Sequence, residues 1–135
     1  MEGSLEDLSK YRYETSLEDI KDAKIMLENG RYKNALNRSY YAIFHAIRAV
    51  NVLDGFDSSK HSGVIAFFNQ TYVKTGIFDK ELSKIIKSAS EQRESADYLD
   101  FFIASRADAV EQIENAEKFI SYIRIYLIQK GILEE

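Results

Sequence analysis

Residues 31–53 read RYKNALNRSYYAIFHAIRAVNVL, and their spacing predicts one long helix from about Arg31 to Leu53. At about 100° per residue, with Arg38 set at 0°, Leu36, Tyr40, Ile43 and Ile47 gather between about 140° and 200°. That is the apolar stripe of a helix facing a core. The opposite side holds Arg38, Ala42, His45 and Ala49, flanked by Tyr41, Ala35 and Ala46, where a surface helix would carry a charged face. A helix apolar on both sides is packed on both sides, here by another helix of the same bundle or by a second subunit. The stretch carries Arg31, Lys33, Arg38 and Arg48 and no acid, a basic island in a chain of net charge −4. The island reads either as a local anion site or as a helix meeting acidic neighbours within the molecule.

Working outward, the 135 residues fit a single domain spanning 1–135. With no proline and six glycines, the chain lacks the turn residues of a sandwich or barrel. The expected fold is all-α, an up-and-down bundle of four to five helices joined by short connections. The first helix has Ser4 as its cap and an inner stripe of Leu17, Ile20, Lys24 and Leu27, and ends at Asn29-Gly30. A third runs from about His61 to Lys74, a fourth starts near Asp79, and a fifth spans about Ala104 to Gln129 with Ile113, Ala116, Ile120, Ile123 and Leu127 inward.

Composition excludes several chemistries. With no cysteine, disulfides, thiolate metal sites and a cysteine nucleophile are out. Two histidines do not build a three-ligand His site, so no metal or other cofactor is expected. The net negative charge argues against a generally basic nucleic-acid surface. No stretch is long and apolar enough to span a membrane, and the acidic start MEGSLEDLSK lacks a signal-peptide core. The expected location is cytoplasmic.

The chemistry-bearing residues concentrate on the second helix. Arg38 and His45 lie seven positions apart, two turns along one face. A guanidinium fork suits phosphoryl oxygens, and an imidazole can take or give a proton. With no metal, 2′-OH attack would confine such chemistry to RNA. The alternative is that His45 packs and Arg38 pairs with a carboxylate. Lys60-His61-Ser62-Gly63, at a helix start with Ser62 as cap, reads as an anion cradle or as an ordinary capped turn. Arg93 and Asp97 form an i,i+4 pair. Tyr98, Phe101 and Phe102 read as core or interface aromatics, and Glu111, Glu114 and Glu117 as a solvated face.

The string Asn37-Arg38-Ser39-Tyr40-Tyr41-Ala42-Ile43-Phe44-His45-Ala46 resembles the signature helix of the HEPN superfamily, in its short prokaryotic branch. Lys60-His61-Ser62-Gly63 and Arg93-Glu94-Ser95-Ala96-Asp97-Tyr98 resemble that branch's later motifs, in the right order. The resemblance implies a homodimeric helical bundle, commonly paired with a small nucleotidyltransferase protein in two-component, toxin–antitoxin-type systems. Several members are metal-independent ribonucleases with an R-x4-6-H motif shared across a dimer, which Arg38 and His45 match. Ser39 stands where nuclease members usually carry Asn, Asp or His, and Ile47 where adenylylated toxins carry Tyr. The resemblance also implies that Asp97 reaches Arg38.

The expected function is therefore a module that binds a nucleotide or RNA phosphate, a nucleotidyltransferase partner, or both. The phosphate-binding residues would be Arg38, Tyr41, Lys60, His61 and Ser62, with Asn37 and Asp97 in support. The alternatives are a metal-independent ribonuclease toxin using Arg38 and His45 as catalytic residues across a homodimer, and a structural dimeric bundle.

Overall fold

A computed structural model describes residues 2–135. Five helices follow in order: α1 (Glu2–Glu28), α2 (Tyr32–Asn51), α3 (His61–Phe68), α4 (Glu81–Tyr98) and α5 (Arg106–Gln129). The architecture is the expected all-α bundle. A 3-10 turn, Val52–Asp54, prolongs α2 and ends at Gly55, whose φ of 76° is the left-handed conformation that glycine adopts without strain.

α2 is the central helix and packs against each of the other four. Its stripe of Leu36, Tyr40, Ile43 and Ile47 is buried as its periodicity requires. That stripe shares a core with Val64 and Phe68 of α3, Leu82, Ile85 and Ile86 of α4, and Phe119, Ile120, Ile123 and Leu127 of α5. The second side of α2 is covered by α1 of the same chain. Ala42, Ala46 and Ala49 are fully buried, and Ser9 Oγ donates to the Ala49 carbonyl at 2.6 Å. Ala42 and Ala49 are therefore unavailable to line a cleft between subunits.

Several local expectations change. α1 already runs at Glu2, so Ser4 lies within the helix and does not cap it. Its inner stripe is Ser9, Arg12, Tyr13, Ser16, Asp19, Ile20 and Ala23. Of the residues expected there only Ile20 is buried. Leu17 is exposed, Leu27 is partly buried, and Lys24 pairs with Glu117 at 2.8 Å. Ser62 sits inside the first turn of α3 and is not its cap; the capping position belongs to Lys60, whose N–H donates to Ser58 Oγ at 3.1 Å. α3 also stops at Phe68 and continues as a π turn over Asn69–Val73. α5 starts with a capping box in which Ser105 and Asp108 satisfy each other's backbone N–H.

Candidate functional site

The inner face of α1 repeats every seven residues: Ser9, Ser16 and Ala23 are small, and Arg12 and Asp19 are charged. Seven residues is close to two helical turns, so these side chains stay on the seam toward α2. Small residues there, facing the α2 alanines, let the two backbones approach closely. The charged pair is thereby carried into a half-dry groove, where it needs partners.

Asp19 finds two. Its Oδ2 lies 2.7 Å from His45 Nδ1 and its Oδ1 accepts from Arg38 Nη1 at 3.2 Å. The Asp19 side chain is only 7% exposed, while Arg38 and His45 remain 34% and 24% exposed. One buried carboxylate thus joins two groups that α2 spaces about 10 Å apart along its axis. Asn37 Oδ1 accepts from Arg38 Nε at 3.2 Å and Nη2 at 2.9 Å. The Arg38 guanidinium lies 5.0 Å from the centre of the Tyr41 ring, a cation–π contact. Three of Arg38's five N–H groups are engaged by these acceptors, and two remain.

The first turn of α3 brings His61 to the same helix. Its ring stacks on Phe44 at 4.1 Å, and its Nδ1 shares a hydrogen bond with the Tyr40 hydroxyl at 2.8 Å. Burial, followed by the charges of Arg93, Arg48 and His45, holds the His61 imidazole below its ordinary value, so the neutral form is favoured. Burial also holds the Tyr40 hydroxyl above its usual range, against the pull of Arg93. With Nε2 carrying the proton of the neutral ring, the Tyr40 hydroxyl donates to His61 Nδ1; in the other tautomer the roles reverse. The Arg93 guanidinium lies 4.5 Å from the centre of the Tyr40 ring.

An open cleft of about 510 Å³ runs past His45 and His61, lined by Tyr41, Phe44, His45 and Arg48 of α2, by Asp57–Ser59 and by His61; Arg38 and Asn37 are not among its lining residues. At its rim Asp57 accepts from Arg12 Nη2 at 2.9 Å and from Arg48 Nη2 at 3.0 Å. Burial alone would raise the Asp57 carboxyl, but these two hydrogen bonds and the guanidinium charges hold it below the ordinary carboxylate range.

Of the residues expected at a site, Arg38, His45, Asn37, Tyr41 and His61 come together. Lys60 and Ser62 are exposed and do not line the cleft. Asp97 faces Arg93 at 3.6 Å; the carboxylate on Arg38 is that of Asp19. Asp19, Arg12, Asp57 and Arg93 are additions. The first two lie in the seven-residue polar repeat of α1, a regularity that shows in the sequence but does not by itself separate a buried seam from a surface face. Arg93 carried a signal in the motif it shares with Asp97. Asp57 sits in a short polar loop and has no periodicity to betray it. Among the described residues no three His, Cys, Asp or Glu side chains are grouped as metal ligands, and no helix is long and apolar enough to cross a membrane.

Comparison with known proteins adds a family. The family model described as HEPN domain matches residues 9–126. A Thermotoga maritima "UPF0332 protein" is 37% identical over 118 residues, which is 87% of this chain and 89% of that protein. A Methanocaldococcus jannaschii protein named "Putative toxin MJ0605" is 34% identical over 82% of each chain. The crystal structure of TT1696 from Thermus thermophilus superimposes with a TM-score of 0.72 at 17% identity, covering 86% of this chain and 95% of that one. The structure of ST0689, an archaeal HEPN homologue, gives 0.64 at 15% identity, over 88% and 97% of the two chains. These two likenesses concern the fold.

Proposed function

The chain belongs to the HEPN domain family, and from that premise we propose that it binds an RNA phosphodiester at Arg38 and His45 and cleaves it without a metal ion. The observation that carries this reading is the buried Asp19 carboxylate, bonded at once to His45 Nδ1 and Arg38 Nη1. With Asp19 accepting from Nδ1–H, Nε2 is the imidazole nitrogen free to exchange a proton, and His45 lines the cleft. The 2′-hydroxyl gives its proton to Nε2 and its oxygen attacks the adjacent phosphorus. The 5′-oxygen leaves and takes a proton from solvent, giving a 2′,3′-cyclic phosphate and a 5′-hydroxyl. The two uncommitted Arg38 N–H groups offset the charge that grows on the phosphoryl oxygens. Asp19 fixes the tautomer and orientation of His45 and balances the imidazolium that forms.

A second reading, binding without cleavage, is favoured by the engagement of Arg38: Asp19 and Asn37 already hold three of its donors. The name "Putative toxin" on two relatives, 34% and 30% identical to this chain, supports a place in a two-component system. A homodimer and a small nucleotidyltransferase partner belong to that setting.

Single-stranded RNA incubated in EDTA with the wild type, Arg38→Ala and His45→Ala separates the readings. Cleavage by the wild type that leaves 2′,3′-cyclic phosphate ends, and is lost in both variants, supports the nuclease. RNA binding that weakens in Arg38→Ala with no cleavage supports the binding module. Equal cleavage by all three proteins sinks the assignment of this site.

A further inference from the structure

Arg12 carries its charge into the seam between α1 and α2 with a side chain only 10% exposed. A guanidinium so placed is costly unless paired. Its partner, Asp57, is shared: one carboxylate oxygen accepts from Arg12 and the other from Arg48, while the Ser58 N–H donates to Asp57 Oδ1 at 3.1 Å. One negative charge therefore serves two positive ones. Donors remain in surplus, because Arg12 Nη1 and Arg48 Nε are buried without a hydrogen-bond partner. A phosphate, with more oxygens and a tetrahedral spread, fits two converging guanidinia better than a single carboxylate does.

Asp57 is not fixed by a helix. It lies in the loop between the 3-10 turn and α3, beyond Gly55, and its side chain is half exposed. It can leave the arginines without unpacking the core. Arg48 and Asp57 line the same cleft as His45, and Arg48 follows His45 by one helical turn, about 4.5 Å along the axis.

We propose that Arg12 and Arg48 form a second phosphate subsite beside the one at Arg38 and His45, filled in the free protein by the Asp57 carboxylate. The ligand is then an oligoribonucleotide with at least two internucleotide phosphates, the second displacing Asp57. This rests on the reading of Arg38 and His45 as a phosphate site and specifies its substrate class.

The test is calorimetric titration with two 2′-O-methylated, uncleavable probes: a dinucleotide with one internucleotide phosphate and a trinucleotide with two. Wild type should bind the trinucleotide more tightly. Asp57→Asn removes the competing charge and should tighten trinucleotide binding several-fold, and by more than it tightens dinucleotide binding. Arg48→Gln should abolish the preference for the trinucleotide. It should also flatten the slope of log K against log salt for that probe by about 0.7, the value for one single-strand phosphate contact. An Asp57→Asn variant that binds the trinucleotide no tighter than wild type overturns the subsite, as does an Arg48→Gln variant that keeps the preference. If the dinucleotide still binds normally, the Arg38–His45 reading survives that loss. Folded wild type that binds neither probe overturns both.

Discussion

Asp19 Oδ2 lies 2.7 Å from His45 Nδ1, and the two residues are 26 positions apart on different helices. The contact makes Asp19 a positioning residue for the proton chemistry assigned to His45. Asp19→Asn keeps the size and offers one neutral oxygen, which cannot balance an imidazolium. We expect RNA cleavage to fall by about 10²-fold or more in kcat, with KM little changed. The measurement is steady-state cleavage in EDTA. An Asp19→Asn enzyme with wild-type kcat would show that the carboxylate only ties α1 to α2.

Ile47 and His45 sit two residues apart on α2 and face different surroundings. Ile47 is fully buried in the shared core, so Ile47→Ala should cost about 2–5 kcal/mol. His45 is partly exposed, and its removal leaves Asp19 still bonded to Arg38. His45→Ala should cost about 1–2 kcal/mol. Urea unfolding at one pH measures both. Equal losses would place His45 among the residues that hold the core together.

The α2 stripe was readable because Leu36, Tyr40, Ile43 and Ile47 repeat at helical spacing, and apolar periodicity reports which face meets a core. The polar stripe of α1 escaped the same test. Ser9, Arg12, Ser16 and Asp19 repeat just as regularly but, being polar, have the pattern of a surface face, while the spacing of Leu17, Ile20, Lys24 and Leu27 points inward in their place. What hides them is where their partners lie: the small α2 residues make room, Arg38 and His45 of α2 hold Asp19, and Asp57 of the loop holds Arg12. Arg38 and His45 were legible as a pair from spacing and motif. Their bridging carboxylate was not, because contact between α1 and α2 side chains depends on how the helices dock. Asp57 was hidden for a different reason, since a loop residue follows no period.

Ser39 follows Arg38 directly and its Oγ is buried with no hydrogen-bond partner. A buried hydroxyl without a partner is desolvated for no return, and alanine is the better helix former. Ser39→Ala should therefore raise stability by up to about 1 kcal/mol, with RNA binding unchanged. Differential scanning calorimetry checks the first part and the dinucleotide titration the second. A loss of stability on removing the hydroxyl would mean that Ser39 has a polar partner in solution.

Acid should weaken the fold in two separable steps, set by His61 and Asp57. Burial and the neighbouring Arg93, Arg48 and His45 charges hold His61 below its ordinary 6.5, so the unfolded chain takes up that proton first. The stabilising contribution is whole above 6.5 and is lost as pH falls toward the lower folded value. Asp57 resists protonation in the fold because the hydrogen bonds and charges of Arg12 and Arg48 outweigh its burial. Its contribution is whole above the ordinary 3.8 and is lost as pH falls through the depressed folded value. Urea midpoints measured from about pH 7 down to about pH 3 should decline first below about pH 6.5 and again below about pH 4. His61→Gln keeps an acceptor for the Tyr40 hydroxyl but cannot titrate, so it should flatten the first decline and leave the second. Asp57→Asn should do the reverse. If wild type and His61→Gln decline in parallel between about pH 7 and about pH 5, His61 is not the group that senses acid, and its stacking on Phe44 survives protonation.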